Sequence, residues 1–107
     1  KNNREVLGVF GTTRTIASGV YPEEIWKRCP RATVVQQACP ELAAAIEAAR
    51  PRSELAAIVA SAVDAMQAQL GARRLDRAIL GCTHFSLVEE LFAARLPAGA
   101  RILSQPE

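Results

Sequence analysis

Aromatic side chains are scarce in this chain of 107 residues: one Trp, one Tyr and three Phe. A core with so few rings must be closed by Leu, Ile, Val and the abundant Ala, which predicts helix-rich, close packing. Histidine occurs once and cysteine three times, an odd number without metal-type spacing. Free thiols suit a reducing cytosol. No apolar run reaches the roughly 20 residues of a membrane span. The opening Lys1-Asn-Asn-Arg-Glu5 lacks the apolar segment of a secretory signal. Basic residues number 13 for a net charge of +2, but they are scattered, and only Arg73, Arg74 and Arg77 cluster. A basic stripe with interleaved aromatics, which nucleic-acid binding calls for, is missing. The expectation is a cytoplasmic protein with neither a membrane nor a nucleic acid as partner.

What is present is a regular alternation of apolar strands and amphipathic helices. Strands are predicted at 5–11, 32–38, 75–80 and 100–103. The first helix should run to Cys29, kinked or interrupted at Tyr21-Pro22. A second should start at Cys39-Pro40-Glu41 and end near Ala49 before Pro51. The clearest spans Ser53 to Leu70, where Leu55, Ile58, Val59, Ala62, Val63, Met66 and Leu70 follow a helical period before Gly71. A last helix should begin near Ser86, because Ser86-Leu-Val-Glu89 fits a capping box. Strand–helix alternation predicts an α/β fold with parallel strands and right-handed crossovers. Residues 1–107 are expected to form a single α/β lobe, a three-layer sandwich around a four-stranded parallel sheet. Because core strands lie almost at both ends, the lobe is expected to be part of a longer polypeptide.

The segment Ala78-Ile-Leu-Gly-Cys-Thr-His-Phe85 carries the chemistry. An apolar strand ends in Gly-Cys-Thr-His at the carboxyl end of a parallel sheet, where open α/β folds bind ligands. A thiol with an imidazole two residues away can move protons on a small molecule. The residues alone leave other uses open: Cys82 as a small core thiol, His84 as a structural histidine, Glu47 as a solvated helix residue, and Thr12, Thr15 and Thr83 as helix caps.

Three blocks together resemble the glutamate racemases. They are Gly11-Thr-Thr-Arg-Thr-Ile-Ala-Ser18 with Tyr21, Gln37-Ala-Cys-Pro40 with Glu47, and Leu80-Gly-Cys-Thr-His-Phe85. Their order and approximate spacing are the family's, and they cover nearly the whole chain. The resemblance implies a two-lobe fold of which this chain is the lobe bearing the second catalytic cysteine. It implies racemisation of L-glutamate to D-glutamate for peptidoglycan by a two-cysteine acid/base mechanism, without pyridoxal phosphate or metal. It makes Cys82 one of the two catalytic acid/base groups, His84 an assisting acid for Cys82 and Glu47 the carboxylate that orients His84, and it assigns substrate contacts to Thr12, Thr15 and Thr83. It also implies glutamate as the small-molecule partner and a homodimer for the full-length protein.

In the family the cysteine of the Cys-Pro block is not the catalytic partner, so Cys39 and Cys29 are read as structural. Two positions depart from the pattern. Ser86 stands where many relatives have proline, and Arg14 stands where alanine is common. An aspartate or hydantoin racemase of the same superfamily is one alternative, and a non-catalytic ligand-binding module another. A thiol phosphatase would require Cys-x5-Arg, and no arginine follows Cys82 at that distance.

Overall fold

The computed structural model describes residues 4–104. Four strands, β1 (Val6–Gly11), β2 (Thr33–Ala38), β3 (Arg77–Leu80) and β4 (Arg101–Ser104), form one sheet. The order is β2-β1-β3-β4 and every pairing is parallel. The helices are α1 (Thr13–Ser18), α2 (Val20–Arg28), α3 (Leu42–Glu47), α4 (Arg52–Leu70) and α5 (Glu89–Arg95). A 3-10 helix, Thr83–Val88, links β3 to α5.

Strand succession reverses direction at β1. The step from β1 goes outward to β2, whereas the next crossover passes back over β1 to reach β3. Right-handed connections therefore put α1 and α2 on one face and α3, α4 and α5 on the other. The boundary between β1 and β3 is the topological switch point, where a crevice opens beyond the carboxyl ends of the strands.

The main core lies between the sheet and α4 with α5. Phe10, Val35, Ala78 and Leu80 meet Val59, Val63, Met66 and Phe92 there. Leu7 and Val9, at the alternate positions of β1, are buried on the opposite face. Phe10 and Phe92 form a tilted pair with centroids 5.0 Å apart, so two of the few rings close the centre of the core. Gly8 is where α4 comes closest: a Cβ there would lie 2.9 Å from Met66 Sδ and 3.1 Å from Leu75 Cδ1.

Three sequence expectations change at element boundaries. The break after α1 falls at Gly19, whose φ of 69° is left-handed, and not at Tyr21-Pro22. Pro22 instead lies in the first turn of α2, where a missing N–H costs nothing. Helix α3 begins at Leu42, after a turn through Pro40 and Glu41, and ends at Glu47 rather than near Ala49. The helix expected at Ser86 begins at Glu89. Ser86 makes no cap to Glu89: its hydroxyl donates back to the Thr83 carbonyl at 2.7 Å, inside the 3-10 helix.

Gly8→Ala should press on Met66 and Leu75 and lower stability by about 1–3 kcal/mol, as overpacking generally does. Urea unfolding reads this as a lower midpoint with an unchanged slope.

Candidate active site

Strand β3 delivers Gly81 and Cys82 to the switch point. Gly81 N–H donates to the Phe10 carbonyl at 2.7 Å, which fastens the exit of β3 to β1. Cys82 follows in extended conformation, and its carbonyl accepts from Phe85 N–H at 2.9 Å as the 3-10 helix starts. Phe85 is fully buried and anchors that helix. His84, between these two, keeps its ring near the surface.

Cys82 Sγ lies 3.9 Å from His84 Nδ1, and His84 Nε2 lies 2.9 Å from Glu47 Oε2. Glu47 is the last residue of α3, which packs on the 3-10 helix. Thiol, imidazole and carboxylate therefore form a line although Glu47 and His84 are 37 positions apart. A carboxylate accepts from the Nε2–H, so the neutral ring presents the Nδ1 lone pair to the thiol. The Glu47 and His84 side chains are 67% and 36% exposed. An ion pair that open adds little stability, about 0–1 kcal/mol. Its value is in orienting the ring.

The threonines occupy the other lip of the switch point. Thr12 caps α1: its hydroxyl accepts from Thr15 N–H at 3.2 Å and donates to Thr15 Oγ1 at 3.0 Å. Capping spends the Thr12 proton but leaves the Thr15 hydroxyl proton to donate elsewhere. Thr83 is exposed beside Cys82. The structure thus brings Cys82, His84 and Glu47 together in direct contact, and ranges Thr12 and Thr15 along the loop that follows β1.

A helix that began at Ser86 would turn its positive N-terminal end toward the Cys82 sulfur. The six-residue 3-10 helix intervenes, and α5 starts seven residues beyond Cys82. The imidazole is the group that stands next to the sulfur.

Cys39 also follows a strand, and its N–H donates to the Gly11 carbonyl at 2.8 Å. Its surroundings differ from those of Cys82. It is 3% exposed, whereas Cys82 is half-buried. Burial pushes the Cys39 thiol up to about 12, and the neighbouring Cys82 adds to the rise. Cys39 stays protonated near neutral pH and cannot serve as a base. An open groove between the turn after β2 and α4, lined by Pro40, Glu41, Ala57, Ile58 and Ser61, reaches Cys39 but not Cys82. Cys29 is a free, half-buried thiol. Among the described residues, no cluster of three or more His, Cys, Asp or Glu is arranged to hold a metal ion, and no helix is long and apolar enough to cross a membrane.

One feature of the site lay beyond sequence reasoning. The ring of Tyr21, on α2, lies against Gly81. Sixty residues separate them, and no local pattern announces the contact.

Comparison with known proteins finds glutamate racemases. A glutamate racemase of Phenylobacterium zucineum strain HLK1 is 48% identical over 103 residues, covering 96% of this chain and 36% of its own. The chain is homologous to the glutamate racemases. A racemase of Caulobacter sp. strain K31 is 46% identical over 102 residues, covering 95% of this chain and 36% of its own. A crystal structure of a glutamate racemase isoform from Bacillus anthracis superposes with a TM-score of 0.78 at 30% identity, over 96% of this chain and 38% of that one. The Francisella tularensis glutamate racemase, solved in complex with D-glutamate, shares the fold at a TM-score of 0.77 and 21% identity. No protein-family model matches. The chain spans about 36% of the length of the curated glutamate racemases it matches.

Two expectations follow for the thiols. Iodoacetamide should modify Cys82 well before Cys39, read by peptide mass spectrometry. The raised thiol pKa of Cys39 stabilises the fold below pH 9, the ordinary thiol value, and that contribution is lost as pH climbs toward about 12. Denaturant midpoints should fall across that interval, and Cys39→Ala should flatten the fall.

Proposed function

We propose that this chain supplies one of the two acid/base groups of a glutamate racemase, with Cys82 as that group. The observation that carries the reading is the Glu47–His84–Cys82 line at the switch point of the sheet. The substrate is taken from the relatives, which are glutamate racemases.

Inverting Cα requires a proton to leave from one face and another to arrive on the opposite face. With Cys82 as base, its thiolate forms an S–H bond with the α-proton, and the C–H electron pair stays on carbon, spread into the adjacent carboxyl group. A second thiol, from the part of the protein outside this chain, gives its proton to the other face and becomes thiolate. In reverse the two sulfurs exchange roles. His84 Nδ1 takes the Cys82 proton when the thiolate is needed, and Glu47 holds the ring in the required tautomer and balances the imidazolium. Thr15 and Thr83 supply hydroxyl protons for the substrate carboxylates, and Thr12 aims the Thr15 hydroxyl by donating to it. Fixed donors of this kind are worth most where charge develops.

On this reading no pyridoxal phosphate or metal takes part, because the sulfurs carry the protons and hydrogen bonds carry the carbanion. One lobe holds one face only, so the 107-residue chain by itself is inactive. The full-length protein is a cytoplasmic homodimer whose D-glutamate goes to bacterial peptidoglycan.

The test uses the full-length protein in D2O. It should place deuterium at the α-carbon of the inverted product, and Cys82→Ala should lower racemisation by at least about 10²–10⁴-fold. Undiminished turnover in Cys82→Ala overturns the reading. Turnover of aspartate without glutamate moves the substrate to another racemase of the superfamily.

His84→Asn gives a second, sharper readout. Enantiomers have equal free energy, so kcat/KM must stay equal in the two directions for every variant. With an imidazole behind Cys82, kcat should fall about tenfold or more in the direction that uses Cys82 as base, a barrier increase of about 1.4 kcal/mol. The opposite direction should keep most of its kcat.

A further inference from the structure

We propose that Tyr21 is a positioning residue for Cys82, acting through Gly81. The proposal rests on the acid/base reading of Cys82 given above. Gly81 is held from two sides. Its N–H donates to the Phe10 carbonyl at 2.7 Å. A Cβ at Gly81 would lie 3.1 Å from that same oxygen, and 3.1 and 3.3 Å from Cε2 and Cζ of the Tyr21 ring. The ring therefore rests directly on the glycine backbone, in space that any side chain at 81 would claim.

This clamp matters because it acts one residue before the sulfur. Beyond Gly81 the backbone enters the 3-10 helix, and its fastening there is the Phe85 N–H to Cys82 carbonyl bond. The height of Cys82 above the sheet is set one residue earlier, at Gly81. The ring arrives there because Gly19 turns the chain between α1 and α2 with φ 69°. A Cβ at Gly19 would meet nothing within 4 Å, so glycine is required there for its conformation alone. Buried Pro22, next to Tyr21, stiffens the first turn of α2.

The contact also joins the two lips of the crevice. Thr12 and Thr15 begin α1, Gly19 ends it, and Tyr21 passes the position of that helix on to the cysteine turn. Proton transfer between sulfur and carbon tolerates little misplacement: about 1 Å can cost roughly 10²-fold. A loosened Gly81 should therefore harm the chemical step more than substrate binding.

The experiment compares Tyr21→Phe, Tyr21→Ala and Gly81→Ala in the full-length protein. It reads kcat and KM for glutamate in both directions, and the rate at which iodoacetamide modifies Cys82. Tyr21→Phe keeps the ring and should stay within about twofold of the parent. Tyr21→Ala should lower kcat by about 10–100-fold with KM changed less than about threefold, and should speed modification of Cys82. Gly81→Ala presses on the same ring while keeping every other side chain, and should also lower kcat. The double variant should lose less than the product of the two single losses, because both act through the Tyr21–Gly81 contact, although an alanine at 81 also presses on the Phe10 carbonyl.

Parent-like kcat and alkylation in Tyr21→Ala overturn the proposal. So do additive losses in the double variant, and so does a Tyr21→Phe loss as large as that of Tyr21→Ala, which would transfer the role to the hydroxyl. If Cys82→Ala stays active while Tyr21→Ala still speeds alkylation, the acid/base reading fails and the clamp stands.

Discussion

Everything at the candidate site depends on β1 being paired on both edges. Because β2 and β3 run parallel to it on either side, three loops leave the sheet at the same end. The hydrogen bonds of Cys39 N–H to Gly11 and of Gly81 N–H to Phe10 tie the exits of both neighbours to β1 itself. Gly8 lets α4 close over the strand, and Phe10 on that same face meets Phe92. A rigid central strand with its core on one side and the reacting loops at its end is what allows short, polar loops to hold fixed positions.

Much of this was legible from local pattern. Strands declared themselves by apolar runs, and α4 by its period. All four predicted strands pair in the order that strand–helix alternation and right-handed crossovers allow. The misplaced boundaries have a common cause: local signals that tertiary burial overrode. Ser86 and Glu89 match a capping box, yet Phe85 and Val88 are both buried and three residues apart, while Leu87 is exposed. Three residues is the period of a 3-10 helix, so burying that pair selects the tighter form. Likewise Pro22 attracted the expected break, although proline suits a first helical turn and Gly19 supplies the left-handed geometry that a break requires. At the site, the resemblance named Glu47 and His84 as partners, and spacing alone gave no reason to pair them. The 2.9 Å contact arises because α3 ends beside the turn that follows β3.

The two cysteines at strand ends show how environment divides one chemical group into two. Both follow a strand of the same sheet and both precede a turn. Cys39 is enclosed by the core, where a thiolate would lose its hydration without gaining a cation, so the neutral form persists far above ordinary thiol range. Cys82 is half-open and has an imidazole at 3.9 Å. Sequence context already sets them apart, with a histidine two residues after Cys82 and a proline directly after Cys39, and burial deepens the difference.

A racemase faces a constraint that most enzymes do not, since its substrate and product are mirror images of equal energy. In the proposed reading this lobe backs its sulfur with an imidazole and a carboxylate, while Cys39 is buried. Thermodynamics keeps such a shell from making kcat/KM differ between the two directions and confines its effect to the distribution of bound states. On that reading, imidazole and carboxylate serve to pass a proton to and from Cys82. The exposure of His84 and Glu47 fits such a task. A group that must regain or release a proton between turnovers needs a path to water, and a sealed relay would have none.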